Sequence, residues 1–352
     1  MKSIYEIDRN FFVINEINKP DVVFRNCLSA PFQISGIYYE DGKFRRLPED
    51  TAAAVSGKVH FLHANTAGGR LRFRTDSSYV AITTKMENIC RMPHFALTGS
   101  AGFDLHTDDG TVRRYVSTFH PPYDMEDGYK SVVELGSKKM REITIHFPLY
   151  SDVKELLIGL EQDAVLEAPA PYRNIKPIVY YGSSITQGGC ASRPGNAYQN
   201  IITRANNIDH INLGFSGSAK AEDAMAAYIK DLEMSLFVYD YDHNSPSPEY
   251  LAETHEKMFK TIRAQQPKLP ILLLSRPRIY LDDGDRGRLA VIETTYRNAL
   301  AAGDRNVYFI KGSDLMAETG NDGTVDGIHP NDYGFHAMAR VLLKHINEIL
   351  GV

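Results

Sequence analysis

The chain has 352 residues, 43% hydrophobic and 24% charged, and a formal net charge of −5. That is the make-up of a folded globular protein with two domains or one large one. The acidic balance excludes the basic face that a nucleic-acid binder presents, and no apolar run approaches the roughly 20 residues of a membrane helix. Cys27, Cys90 and Cys190 are odd in number and far apart, which predicts free thiols rather than a disulfide framework or a zinc site. The first ten residues hold no apolar signal-peptide centre, so the expected location is cytoplasmic.

Residues 1–167 read as short β-segments. Alternating or β-branched runs at 11–14, 70–75, 79–84 and 142–147 are separated by turn-formers such as Asp41-Gly42, Gly68-Gly69 and Asp109-Gly110. The pattern predicts an all-β, jelly-roll-like sandwich with no amphipathic helix, its last strand at 155–160. Two prolines, Pro169 and Pro171, then make residues 168–176 an extended linker.

From residue 177 to 352 the period changes. Strands are expected at 178–181, 210–213, 236–240, 271–274 and 307–310. Helices are expected at 196–204, 221–232, 248–266, 286–302 and 333–350. Such alternation predicts a parallel sheet covered on both faces, a flavodoxin-like three-layer α/β/α domain.

Chemistry gathers at the carboxyl ends of these strands, where open α/β sheets bind ligands. The first strand runs into Gly182-Ser183-Ser184, which offers two hydroxyls, and a serine needs a base to become nucleophilic. The loop before the last helix, Asp326-Gly-Ile-His329-Pro330, supplies an imidazole with a carboxylate three residues away. That pairing fits the Ser-His-Asp arrangement, although an arbitrary Asp-x-x-His more often caps a turn. The loops after the second and third strands hold Gly217 and Asn244, a backbone N–H and a side-chain amide for an oxyanion, or simply a tight turn and a loop residue. Ser216, in Gly214-Phe-Ser-Gly-Ser218, competes as nucleophile but lacks the closing glycine of the α/β-hydrolase elbow. A metal site built from Asp240, Asp242, His243, Asp326 and His329 has no ligand-spaced motif behind it. Arg276 and Arg278 read as ion-paired residues rather than as a grip on an anionic substrate.

Taken together, these blocks resemble the GDSL/SGNH hydrolase family across residues 177–352. Gly182-Ser183-Ser184-Ile185-Thr186 is similar to the family's Gly-Asp-Ser block, with Ser183 where Asp usually stands. Asn212 to Gly217 is similar to the glycine block. Asp240 to Asn244 is similar to a reduced asparagine block, without the usual Gly-x-Asn-Asp form. Asp326 to Pro330 is similar to the histidine block. The resemblance implies Ser184 as nucleophile, His329 as base and Asp326 as its partner, with Ser184, Gly217 and Asn244 forming the oxyanion hole. It implies no cofactor and no metal. Gly102-Phe-Asp-Leu-His106 is similar to the Gly-x-Asp-Leu-Tyr signature of a sandwich that precedes such domains, with His106 in place of Tyr. Proteins of this layout resemble carbohydrate O-acetyl esterases, which implies a small-molecule or oligosaccharide acyl ester as substrate. A homo-oligomer is compatible with this reading. The alternatives are a thioesterase or lysophospholipase, and a carbohydrate-binding protein without catalysis.

Overall fold

The computed structural model describes residues 4–352. Residues 1–3, at the start of the expected first domain, lie outside the described residues.

Two large antiparallel sheets form most of the N-terminal part, beside the small hairpin of Tyr38–Glu40 and Lys43–Arg45. One joins Val22–Asn26, Asp152–Glu161, Tyr79–Glu87 and Gly128–Glu134 in that order. The other joins Leu166–Glu167, Arg70–Thr75, Arg141–His146, Phe103–Asp108 and Arg113–Phe119, with Gln33–Ser35 also paired to Arg70–Thr75. Every second residue points inward, as the pleat requires. Val80, Ile82, Met86, Ile158 and Leu160 of one sheet share a core with Leu71, Phe73, Phe103, Ile143 and Ile145 of the other.

Three sequence expectations fail in this part. Residues 11–14 form no strand: Arg9–Phe11 is a 3₁₀ turn, and Phe11, Phe12 and Ile14 stay exposed. A β-like run with no neighbouring strand has nowhere to place its backbone hydrogen bonds. The segment 155–160 is not the last strand, because Leu166–Glu167 pairs with Arg74 and Thr75. Helices are also present, at Glu49–Val55 and Gly57–Leu62, broken by Ser56 at φ −173°. Each is too short to show a helical period. Their apolar residues Ala52 and Val59 are buried in the core of the other half of the molecule.

That other half is a five-stranded parallel sheet in the order His210–Gly214, Ile178–Gly182, Leu236–Asp240, Ile271–Leu274, Val307–Ile310. All neighbours pair in parallel. In chain order this is 2-1-3-4-5, the flavodoxin-like arrangement. The strands are buried on both faces, and their side chains divide by parity. Val179, Tyr181, Phe237, Tyr239, Ile271 and Leu273 face helices Asp223–Ile229, Pro248–Gln265 and Asp283–Ala301. Ile178, Tyr180, Leu236, Val238, Leu272 and Leu274 face helices Tyr198–Asn206 and Asp332–Leu350. The N-terminal part closes on both cores, through Leu47, Ala52 and Val59 on one face and Ala67, Phe95, Leu149 and Tyr150 on the other. No helix among the described residues is long and apolar enough to cross a membrane.

Candidate active site

The strand Ile178–Gly182 ends at the point where the chain order of the sheet reverses, the position at which such sheets open a crevice. Its turn is tight. A Cβ on Gly182 would stand 2.2 Å from the Asp240 carbonyl oxygen and 2.2 Å from Thr186 Oγ1, so only glycine fits. Ser183 follows as the cap of the short helix Ser184–Gln187: its N–H donates to the Asp240 carbonyl at 3.2 Å, and its Oγ accepts from the Ile185 N–H at 3.2 Å. An aspartate caps by the same contact, so the replacement of Asp by Ser keeps the brace of the turn. Ser183 is fully buried. Ser183→Ala should therefore leave the Ile185 N–H unmatched and lower stability by about 1–2 kcal/mol in urea unfolding. An unchanged midpoint would show that the cap contributes nothing.

Ser184 opens that helix. Its Oγ lies 3.0 Å from His329 Nε2. On the far side of the ring, His329 Nδ1 lies 2.7 Å from Asp326 Oδ2. The other carboxylate oxygen of Asp326 accepts the backbone N–H groups of His329 at 2.7 Å and Ile328 at 3.0 Å. Partial burial pushes the Asp326 carboxyl upward, but the His329 amide and ring and the Ile328 amide outweigh it, and the group is held down at about 2. It is an anion at neutral pH, aimed at the imidazole. The loop is pinned from below by Asn331, which caps the last helix through the Gly334 N–H and donates to the carbonyls of Asp322 and Thr324. The sequence-predicted Ser184, His329 and Asp326 are thus brought into one hydrogen-bonded line.

The loop carrying Gly217 is also strongly held. Gly217 sits at φ +61° with open space around it, so its backbone conformation rather than crowding calls for glycine. Asn212 Oδ1 accepts the Gly214 N–H at 2.9 Å, and Gln187 Oε1 accepts the Ser216 N–H at 2.9 Å. Asn244 Nδ2 donates to the Phe215 carbonyl at 2.9 Å. An amide nitrogen carries two protons, so this bond leaves Asn244 a second donor. Asp242 is already engaged, accepting the Arg276 N–H at 3.1 Å. Arg276 and Arg278 in turn bond to Asp285 at 2.5 and 2.9 Å.

Four residues at this site escaped the reading of the sequence, three of them from the N-terminal part. Tyr150 donates its hydroxyl to the Ser184 carbonyl at 3.3 Å. The His94 ring lies 6.3 Å from the His329 ring, which brings the N-terminal part to the rim of the site. Gln187, five residues after Gly182, is marked by nothing local. Arg46, almost wholly buried, donates to the carbonyls of Gly214 at 2.5 Å, Asn212 at 3.2 Å, Asn65 at 2.6 Å and Leu62 at 2.8 Å, with its guanidinium 4.6 Å over the Phe215 ring. Burial pulls it down to about 9, which leaves it charged at neutral pH. A buried charge survives only when it is fully hydrogen-bonded, and here that requirement locks the Gly217 loop to the N-terminal part. Arg46→Met should cost roughly 3 kcal/mol or more of stability by stranding these carbonyls, and should lower kcat by displacing the loop. Full stability together with full kcat would refute the locking role.

Two clusters have metal-ligand spacing. His94, Cys190 and His329 offer ligand atoms within 4.8 Å of one another, and so do Asp104, His106 and His146. Burial and the charge of Asp326 push the Cys190 thiol up to about 12, and a thiol that keeps its proton is a poor metal ligand. The second cluster is already cross-bonded, with Asp104 accepting from His146 at 2.7 Å, Arg193 at 2.8 Å and the Gly195 N–H at 2.9 Å. Asp240, Asp242 and His243 join no such cluster among the described residues.

Residues 175–347 match the GDSL-like Lipase/Acylhydrolase family, and residues 22–166 match the N-terminus of SGNH-hydrolase-type esterases, known by its GxDLY signature. No curated protein matches the chain. Among solved structures, a Bacteroides ovatus protein described as a GDSL-like lipase is 26% identical with a TM-score of 0.84, covering 94% of this chain and 98% of its own. A salicylyl-acyltransferase from a tetracycline biosynthetic pathway is 20% identical, with a TM-score of 0.77 and coverage of 95% and 99%. A family two carbohydrate esterase from Clostridium thermocellum, solved with cellohexaose, is 15% identical, with a TM-score of 0.61 and coverage of 91% and 99%.

Proposed function

Because the chain belongs to the GDSL-like lipase/acylhydrolase family, and is an esterase of that SGNH type, we propose that it hydrolyses small acyl esters, foremost O-acetyl groups on carbohydrates, through Ser184, His329 and Asp326. The observation that carries the reading is the line of two hydrogen bonds, 3.0 Å from Ser184 Oγ to His329 Nε2 and 2.7 Å from His329 Nδ1 to Asp326.

In this reading Asp326 accepts a hydrogen bond from Nδ1–H, which keeps the ring proton there and leaves Nε2 free as a base. His329 takes the Ser184 proton as Oγ bonds to the ester carbonyl carbon, and the carbonyl electron pair moves onto oxygen. The N–H groups of Ser184 and Gly217 and the second Nδ2 proton of Asn244 receive that oxyanion. As the tetrahedral species collapses, His329 gives its proton to the departing alcohol, leaving an acyl-serine. Water then attacks the acyl group, His329 again serving as base, and the acid departs. The acetyl and sugar preferences are drawn from the carbohydrate esterases that share this fold. We take residues 1–167 as an accessory domain, 168–176 as its linker and 177–352 as the catalytic domain.

The test is a substrate panel. Acetate release from acetylated xylo- and cello-oligosaccharides should be saturable, and aryl-ester rates should fall from acetyl to butyryl to octanoyl. A preference for octanoyl esters or for acyl thioesters would assign the chain to the lysophospholipase or thioesterase alternative. Sugar binding with no turnover and no labelling of Ser184 by a fluorophosphonate would make it a binding protein.

A further inference from the structure

A large cavity lies away from Ser184 and is lined by none of the residues described above as catalytic or oxyanion-binding. It holds about 600 Å³ between the sheet containing Arg70–Thr75, Phe103–Asp108 and Arg141–His146 and the end of helix Tyr198–Asn206. Its floor includes Asn207, just ahead of the strand His210–Gly214. The cavity therefore opens at the amino edge of the parallel sheet, whereas Ser184 and His329 stand at the carboxyl edge.

Five arginines line it against two carboxylates, Asp108 and Glu142. Arg70 is neutralised by Asp209, and Arg113 by Asp108 at 2.5 Å. Glu142 is engaged by Arg74, outside the cavity, at 3.2 Å. Arg72, Arg114 and Arg204 are left with no carboxylate partner among the described residues. Arg72 is only 9% exposed. It donates to the Ala170 carbonyl at 2.9 Å and lies 4.1 Å over the Tyr172 ring.

Arg204 lies 3.4 Å from His146 Nε2, and His146 Nδ1 lies 2.7 Å from Asp104. Burial pulls His146 down to about 3, so its ring is neutral and its Nε2 accepts. Asp104 bonds to His146 and Arg193 and its charge also acts on Arg204, but burial outweighs it and pulls Arg204 down to about 10, still charged at neutral pH. Arg72 and Arg204, with Arg114 on the exposed rim, bring like charges to one concave space, where they repel each other unless an anion joins them. Guanidinium forks match the oxygens of a phosphate group in pairs. Tyr172 and Tyr115 also line the cavity, each with a guanidinium over one face of its ring, Arg72 at 4.1 Å and Arg193 at 3.8 Å.

We propose that this cavity is a second binding site, separate from the ester site, for a small molecule bearing a phosphate group, held by Arg72, Arg114 and Arg204. The guanidinium groups grip the phosphate, and the tyrosines border a body of sugar size. The linker also takes part, because the Ala170 carbonyl and Tyr172 fix Arg72.

Calorimetric titration of the full chain with glucose 6-phosphate, inorganic phosphate and neutral glucose tests this. Glucose 6-phosphate should bind saturably, phosphate more weakly and glucose not at all. Arg72→Gln and Arg204→Gln should each weaken binding by about tenfold or more, since each removes charge-assisted hydrogen bonds. Ser184→Ala should bind as the parent does. The site is refuted by no saturable binding of either phosphate probe, by arginine variants that bind unchanged, or by loss of binding in Ser184→Ala. Arg114 is exposed on the rim, so Arg114→Gln should fold normally whatever happens to the other two. Binding weakened at least threefold in Arg114→Gln supports the site, and unchanged binding there overturns it.

Discussion

Replacing Ser184 by alanine is expected to lower kcat on an aryl acetate by about 10⁴-fold or more, with the protein still folded. The variant removes the only atom that bonds to the substrate carbon, so the acyl-enzyme route is closed. What remains is the rate that oxyanion donors and substrate positioning give to water, which in serine hydrolases is roughly 10³–10⁴ over the uncatalysed reaction. The fold should tolerate the change. Ser184 Oγ spends its hydrogen bond on the half-buried His329 ring rather than on the core, and the helix cap belongs to Ser183. Thermal unfolding should therefore move by no more than a few degrees. Adding His329→Ala to Ser184→Ala should cost almost nothing further, because the two act as one unit and do not add. Initial rates of the single and double variants decide the matter. Full activity in Ser184→Ala would falsify the nucleophile assignment.

Asp326→Asn is expected to lower kcat by about 10³–10⁴-fold while leaving KM near its parent value. The asparagine oxygen can still accept the backbone N–H groups of Ile328 and His329, so the loop keeps its shape. Its NH₂ group, however, donates to Nδ1 where the carboxylate accepted. That forces the ring proton onto Nε2, the nitrogen that must receive the Ser184 proton. A loss confined to KM would mean that Asp326 touches substrate instead.

The same substitution has a signature in acid. Asp326 is held at about 2 against an ordinary 3.8, a folded value below the unfolded one. Its ionised form therefore stabilises the protein above about pH 4, and that contribution is lost as the pH falls through about 2. The difference in melting temperature between parent and Asp326→Asn should shrink from pH 5 to pH 2.5. A constant difference over that range would contradict the carboxylate's role.

The parts legible in the sequence are those whose signal is local. The five parallel strands are buried on both faces, so each reads as a short apolar run, and the segments 236–240, 271–274 and 307–310 coincide with the strands found. The long helix Pro248–Gln265 shows its start in Ser247-Pro248, a capping serine followed by a first-turn proline. Ser184, Asp326 and His329 stand out because their loops must end strands at one edge of the sheet, and chain order alone places those loops together.

Contacts between distant segments were decided only by the tertiary structure. Ala52 and Val59 look like fragments of a β-rich region until the sheet of the other half appears as the surface that buries them. Arg46 is an ordinary arginine in sequence, yet it reaches Asn212 and Gly214 across more than 160 residues. Which contact lets Ser183 do the work of an aspartate, which carbonyl holds Asn244, and which arginines of the large cavity lack a carboxylate are equally non-local facts. Hydrophobic period and turn chemistry are properties of neighbouring residues and can be read along the chain. Pairing of buried polar groups is settled between segments only when folding brings them together, because each must find its partner away from water.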